Sequence, residues 1–204
     1  PNTNTRNYSN PCWTTGDGTP LLDIVPQPTL YTPTSTANTY RDNICAATPI
    51  PTYAETAGPT PKGTGVDSEI GFYNPESDFL IEQWKADKGP STLYPSLANG
   101  QWGARRGGKI SNCISAAPIM TNPFGVAASG LPMIPMIPLA DEFTLNLIWR
   151  AMNFTVIQAA SFHSLCYPAN RTDGGISTYT TPGKVVEGQR MRFNPSINVD
   201  ALSI

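Results

Sequence analysis

Four carboxylates lie close together in the sequence: Asp67, Glu69, Asp78 and Glu82. Strand-like segments surround them, which predicts that they lie on or beside two neighbouring strands. Two carboxylates held about 5–10 Å apart can serve as acid and base in the cleavage of a glycosidic bond. The alternative is that they are solvent-facing strand charges and turn caps. We favour this alternative, because sequence spacing does not set the distance between two carboxylates.

A second group combines positive charge with an aromatic ring. Arg105, Arg106 and Lys109 follow Trp102 in a glycine-rich segment that is predicted to form a turn. Guanidinium groups bind carboxylates through paired hydrogen bonds and an indole stacks on sugar rings, so the group predicts contact with an acidic polysaccharide. The alternative is a tight hairpin whose arginines pair with Asp or Glu. The glycines are not a phosphate-binding loop, because neither a Lys-Ser/Thr pair nor a GxGxxG pattern follows.

The single histidine, His163, is the remaining candidate for proton transfer. With Tyr167 and Arg171 it would form an arrangement able to abstract a proton in a polysaccharide lyase, and Glu82 is a further weak candidate. Because no GxSxG or similar nucleophile motif accompanies it, we favour a histidine at a strand end with a hydrogen-bond partner. We therefore expect no catalytic residues, no cofactor and no metal, since zinc needs about four ligands close together.

Four cysteines are present, Cys12, Cys45, Cys113 and Cys166, and no two form a CxxC pair. In a chain with one histidine, two disulfides are a better use of four cysteines than a metal site. Three connectivities are possible, and we favour Cys12–Cys45 with Cys113–Cys166, one bridge in each half of the chain. The alternative is four buried free thiols in a cytosolic protein.

The overall composition is low in charge and rich in small polar residues. Charged residues make up 14% and the net charge is −2, so no nucleic-acid partner is expected. No apolar run approaches the roughly 18 residues that span a membrane. Sequons at Asn7, Asn153 and Asn170 are candidate glycosylation sites, and the start at Pro1 suggests removal of a signal or pro-segment. These features predict a secreted glycoprotein.

Short strands must position these side chains, because 21 prolines and 17 glycines interrupt the chain. Strand-like segments lie at 21–25, 70–73, 79–85, 145–157, 185–186 and 191–193, with one helical turn at 141–143. The pattern predicts an all-β fold, a single β-sandwich or jelly-roll-like domain over residues 36–204. Residues 1–35 are polar and Pro-rich and are predicted to form an extended N-terminal arm.

A series of motifs runs in order along the last two thirds of the chain. They are GVDSEIGFYNP (65–75), FLIEQWKA (79–86), WGARRGGKISN (102–112), FGVAASGLP (124–132), YPANRTDG (167–174) and EGQRMRFNP (187–195). Over about residues 64–202 the chain resembles a family of secreted, functionally unassigned, mostly bacterial β-sandwich proteins. The resemblance implies that fold and compartment but no reaction. Relatives often carry histidine at the positions of Glu69 and Arg150, so a role of those histidines would be lost here.

The predicted arm contains a strand-sized apolar segment, Leu21, Leu22, Ile24 and Val25. Such a segment can add to an exposed sheet edge of the next subunit, and a head-to-tail contact of this kind builds filaments. We therefore expect an extracellular structural protein that forms a homo-oligomer or homopolymer, and not an enzyme. The arm could instead fold back on its own domain. The alternative function is a secreted carbohydrate-active domain, a polysaccharide lyase, glycanase or glycan-binding module.

Overall fold

Almost all regular structure in the described part of the chain is β-strand. The computed structural model describes residues 12–26, 45–56, 67–116, 119–120, 126–136, 140–148, 151–152, 165–170, 185–191 and 196. In this part of the chain there are nine strands, a 3-10 helix at Ile134–Met136 and one short α-helix, α1, at Ala140–Thr144. The predicted all-β class is confirmed.

The strands are short and form three sheets. They are β1 (Cys12–Thr14), β2 (Leu21–Leu22), β3 (Ile24–Pro26), β4 (Thr48–Pro49), β5 (Ile70–Asn74), β6 (Phe79–Trp84), β7 (Asp87–Lys88), β8 (Trp102–Ala104) and β9 (Arg106–Ser111). The strand orders are β1-β5-β6-β9, β3-β8-β7 and β2-β4. Both β3 and β4 end at a proline, which has no N–H to continue a ladder.

The central hairpin of the largest sheet follows directly from its sequence. The side chain of Asn74 accepts hydrogen bonds from the backbone N–H groups of Glu76 (2.8 Å) and Ser77 (3.1 Å). An asparagine side chain that bonds its own backbone in this way closes a turn. The chain then returns as β6, antiparallel to β5, with Phe72 opposite Ile81. The strands predicted at 70–73 and 79–85 are confirmed to within one residue.

The glycine-rich segment is a pair of strands, so its predicted turn is wrong. β8 and β9 are separated by Arg105, and Gly107 and Gly108 lie inside β9, opposite Gln83 and Glu82. A Cβ at position 107 would lie well inside 3.0 Å of the Glu82 carbonyl oxygen. Glycine is therefore needed here for close strand approach rather than for chain reversal.

The N-terminal segment, defined here as residues 12–26, completes both larger sheets. β1 lies at one edge of the four-stranded sheet, parallel to β5, and β3 lies at one edge of the three-stranded sheet, parallel to β8. β2 pairs antiparallel with β4. Three strands of the predicted arm are thus paired with strands of the predicted domain.

Two hydrophobic clusters pack on opposite faces of the four-stranded sheet, because alternate residues of a strand point to opposite sides. On one face, Phe72 and Ile81 pack with Ile24 and Trp102 of the three-stranded sheet. On the other face, Leu80 and residues near it pack with the chain that follows β9. This second cluster contains Leu80, Ile110 and Met120, with Tyr73, Cys113, Ala116 and Ile134 beside it.

The strand predicted at 145–157 is wrong over its first four residues. The backbone N–H of Leu145 donates a hydrogen bond to the Asp141 carbonyl at the end of α1 (2.9 Å). This N–H is therefore not available to pair with a neighbouring strand. Residues 145 and 146 form a turn, the backbone N–H of Leu147 bonds to the Glu142 carbonyl (3.0 Å), and Leu145 and Leu147 are exposed. Residues 153–157 lie outside the described part of the chain. Residues 185–186 are not a strand, although the adjacent Glu187 forms a parallel bridge with Leu165.

Candidate functional site

The β3 part of the N-terminal segment is built into the protein interior. Ile24 lies opposite Trp102 and is only 3% exposed, as a member of the main hydrophobic cluster. Val25 packs from the edge on a small cluster formed by Leu93, Tyr94 and Leu97. The side chains of two of the four residues of the predicted assembly strand therefore pack on their own chain, as the fold-back alternative expects.

The β2 part of the same segment is exposed. Leu21 is 63% and Leu22 40% exposed, although their backbones pair with Pro49 and Thr48. The side chain of Asp23 accepts a hydrogen bond from the backbone N–H of Ala47 (2.9 Å), which holds the connection to β3. The segment is attached by backbone pairing, by the packing of Ile24 and Trp13 on the main cluster and by hydrogen bonds to Asp17, and it presents Leu21 and Leu22 to solvent.

The four cysteines are free, so the structure contains neither the Cys12–Cys45 nor the Cys113–Cys166 bridge. Cys45 is buried in the main cluster, whereas Cys113 lies beside the cluster on the opposite face of the sheet. Cys12 lies on the edge strand β1, where loss of hydration and the charge of Glu82 raise the pKa of its thiol to about 11. The predicted pairing used only distance in the sequence, whereas the strands and clusters of the fold place Cys12, Cys45 and Cys113, and Cys166 is exposed outside them.

Glu82 is buried at the centre of the four-stranded sheet, at 1% exposure. Its Oε1 accepts hydrogen bonds from the backbone N–H groups of Met133 (2.7 Å) and Ile134 (2.8 Å). It lies between Gly71 and Gly108 on the two neighbouring strands, and the Ile134 side chain covers Gly71. Loss of hydration raises the pKa of Glu82 to about 7, against the opposing effect of its backbone hydrogen bonds. Through these two hydrogen bonds, Glu82 holds the segment 126–136 against the sheet.

The predicted carboxylate group does not form an open acid–base site. Glu69 and Glu82 do line one small space, together with Met133 and Ile134, but it has no room for a water molecule. Asp67 accepts a hydrogen bond from the Trp84 indole (3.2 Å). Asp78 accepts one from the backbone N–H of Ile114 (3.3 Å), as expected for a turn cap. A glycan chain has no access to Glu82 in this arrangement.

The basic group is divided between the two faces of the sheet. Arg106 stacks on Trp84, with 4.3 Å from its guanidinium carbon to the ring centre, while Lys109 lies over Phe79 at 4.8 Å. Residues 106 and 109 are three apart on β9 and therefore point to opposite sides. Trp102 is 3% exposed and belongs to the core. The predicted combined surface for an acidic sugar is thus not assembled.

The structure describes only two of the remaining candidate residues, Tyr167 and Asn170. His163, Arg171, Asn7 and Asn153 lie outside the described residues. Tyr167 is exposed, and so is Asn170, whose side chain lies against Gly130. Among the residues that the structure describes, no group of three or more His, Cys, Asp or Glu could hold a metal ion.

A surface cleft that the sequence analysis missed opens beside β7 and β8. It has a volume of about 250 Å³ and is lined by Thr52, Tyr53, Glu55, Asp87, Lys88 and Trp102, among others. These residues come from three parts of the chain, residues 52–56, residues 87–88 and Trp102, and of these only Trp102 belongs to one of the quoted motifs. Two aromatic residues were the usable signals in the sequence: Trp102, already a candidate for sugar contact, and Tyr53, which lies in a polar, Pro-rich stretch.

Comparison of the chain with protein-family models, with curated proteins and with solved structures gave no match. The resemblance to secreted β-sandwich proteins therefore stays a prediction. Within the described residues, no helix is long and apolar enough to cross a membrane.

Proposed function

We propose that the protein is an extracellular structural subunit that polymerises by exchanging its N-terminal segment with a neighbouring copy. The observation that carries the proposal is the position of β1 and β3, which form edge strands of two different sheets. An edge strand is held by backbone hydrogen bonds to one neighbour only, and the same bonds form when the strand comes from another molecule.

Chain length supports this exchange. Eighteen residues separate Pro26 from Cys45, where the described chain resumes. An extended chain of that length reaches up to about 60 Å. Residues 12–26 of one copy can thus bind the β5 and β8 edges of the next. When each copy donates its segment to a different neighbour, the contact propagates as a filament.

The proposed fold is a β-sandwich with this segment as its arm. Support comes from the main hydrophobic cluster, which combines residues of the four-stranded and three-stranded sheets. The proposed compartment is supported by the low charge of the chain and by Asn170, a sequon residue that is exposed. The free cysteines give no support to an oxidising compartment.

The test is a cysteine pair across the β2–β4 contact, Leu22→Cys with Thr48→Cys, two directly opposed positions. After mild oxidation, denaturing electrophoresis without reductant should show a ladder of covalent multimers that collapses to a single band on reduction. The single variants and the wild-type chain, which keep the four native cysteines, should show no ladder.

Two results would contradict the proposal. One is a double variant that crosslinks only within each chain, because donor and acceptor would then belong to one molecule. The other is a set of filaments, seen by negative-stain electron microscopy, whose subunits carry only internal crosslinks. Filaments of that kind would require a different contact.

A further inference from the structure

The cleft beside β7 and β8 is a candidate site for a small ligand. Its volume of about 250 Å³ lies just below the range of about 300–1,000 Å³ typical of sites for drug-sized ligands. The lining residues combine an aromatic ring, hydroxyl groups and charged groups of both signs. This combination fits a ligand of about one sugar ring.

Tyr53 supplies an exposed ring at the cleft. It is 66% exposed, and Trp13 packs against it edge-on, with ring centres 5.4 Å apart and planes at 68°. The indole N–H of Trp13 donates a hydrogen bond to the backbone carbonyl of Glu55 (3.2 Å), which ties β1 to the cleft wall. A braced aromatic ring offers a flat apolar surface for the C–H face of a pyranose at low entropic cost.

Asp87 supplies a buried acceptor. It is 9% exposed, and its Oδ1 accepts a hydrogen bond from the backbone N–H of Lys88 (2.9 Å). Its Oδ2 is also buried, and none of the described residues donates a hydrogen bond to it. A buried carboxylate oxygen without a donor is costly. A ligand hydroxyl that displaces the groups covering this oxygen and supplies the missing hydrogen bond is therefore stabilised there.

The charges of the cleft select the class of sugar. Glu55 and Asp87 contribute two carboxylates, and Lys88 contributes one ammonium group, which lies 5.9 Å from the centre of the Trp102 ring. The excess of negative charge disfavours uronic acids and leaves acceptors for hydroxyl groups. We propose that this cleft binds one ring of a neutral glycan, stacked on Tyr53 and hydrogen-bonded to Asp87.

The test titrates the full-length chain with a panel of soluble neutral oligosaccharides of glucose, mannose and galactose, and with oligogalacturonate. Binding is followed by the backbone resonances in NMR and by tryptophan fluorescence, since Trp13 and Trp102 adjoin the cleft. We expect at least one neutral oligosaccharide to bind at millimolar concentration or below, with shifts at residues 52–56 and 87–88. Tyr53→Ala and Asp87→Asn should each weaken that affinity by about tenfold.

Tyr167→Ala is the matched control, because Tyr167 is equally exposed but lies in a different segment. It should leave the affinity unchanged, and all three variants should keep the wild-type circular dichroism spectrum. No binding by any neutral member of the panel overturns the proposal. So does tighter binding of oligogalacturonate, or an unchanged affinity in a folded Tyr53→Ala variant.

Discussion

At the residue scale, Glu82 illustrates how a buried carboxylate serves structure. Its oxygen accepts two backbone hydrogen bonds from a segment some fifty residues further along the chain. Those bonds satisfy N–H groups that a 3-10 turn leaves unpaired at its start. The same burial makes ionisation costly, and this raises the pKa of Glu82 to about 7. Glu82, a candidate catalytic acid in the sequence, thus holds a distant segment by hydrogen bonds and has a raised pKa.

The titration of Glu82 predicts how stability depends on pH. Its folded-state pKa of about 7 lies above the ordinary value of 4.5, so its contribution is fully present below pH 4.5 and is lost as pH rises through about 7. Glu82→Gln keeps an oxygen for Met133 and Ile134 and removes this titration. Between about pH 4.5 and about pH 8, the wild-type chain should lose about 3 kcal/mol more unfolding free energy than the variant, measured by urea denaturation.

Glu55→Gln is the control for this experiment, because Glu55 is exposed. Its pH profile should follow that of the wild-type chain. If Glu82→Gln also follows the wild-type profile, the carboxyl group of Glu82 titrates in an ordinary environment and its burial does not control its charge.

At the scale of elements, the four-stranded sheet depends on close approach between β6 and β9. Gly107 lies opposite Gln83, and its missing side chain leaves space for the carbonyl oxygen of Glu82. A backbone atom cannot move aside as a flexible side chain can. The spacing between β6 and β9 therefore depends on glycine at position 107.

Gly107→Ala should destabilise the fold by about 2 kcal/mol, because the added methyl group forces β6 and β9 apart. Gly18→Ala is the matched control, since a Cβ at that position meets no atom within 4 Å. Its free energy of unfolding should stay within about 0.5 kcal/mol of the wild-type value. Equal unfolding midpoints in urea for the two variants would show that the sheet tolerates the extra volume.

At the scale of the whole molecule, the N-terminal segment connects parts of the fold that are distant in sequence. It completes two sheets, contributes Ile24 to the main cluster and places Trp13 beside the cleft at Tyr53. If the segment is exchanged between copies, Trp13 of one copy braces the cleft of the next. The proposed assembly and the proposed glycan site would then share one structural element.

Ile24→Ala should cost about 3 kcal/mol of unfolding free energy, because it opens a cavity in the main cluster. Leu21→Ala removes an exposed side chain from the same segment and should change that value by less than about 0.5 kcal/mol. Urea denaturation measures both, and electron microscopy of the same samples should show fewer filaments for Ile24→Ala. If Ile24→Ala leaves the free energy of unfolding unchanged, the side chain of Ile24 does not anchor the segment.

Much of the fold could be predicted where the signal is local. The hairpin of β5 and β6 was found because Asn74-Pro75 is a strong turn signal between two apolar segments. The glycines of β9 were misread as a turn, because the reason for glycine there is a carbonyl group on another strand. The cleft at Tyr53 and Asp87 was missed for the same reason, since the three parts of the chain that line it meet only in the folded protein.

The amino-acid sequence by itself determined the strand-rich class, the main hairpin and the apolar character of residues 21–25, because turns and alternating patterns act over a few residues. Only the tertiary structure decided that the four cysteines are free, that buried Glu82 accepts two backbone hydrogen bonds, and that Arg106 and Lys109 occupy opposite faces. Those outcomes depend on strand register and on which sheets pack together. Register is set by the sum of many weak contacts between distant residues, which no local pattern contains.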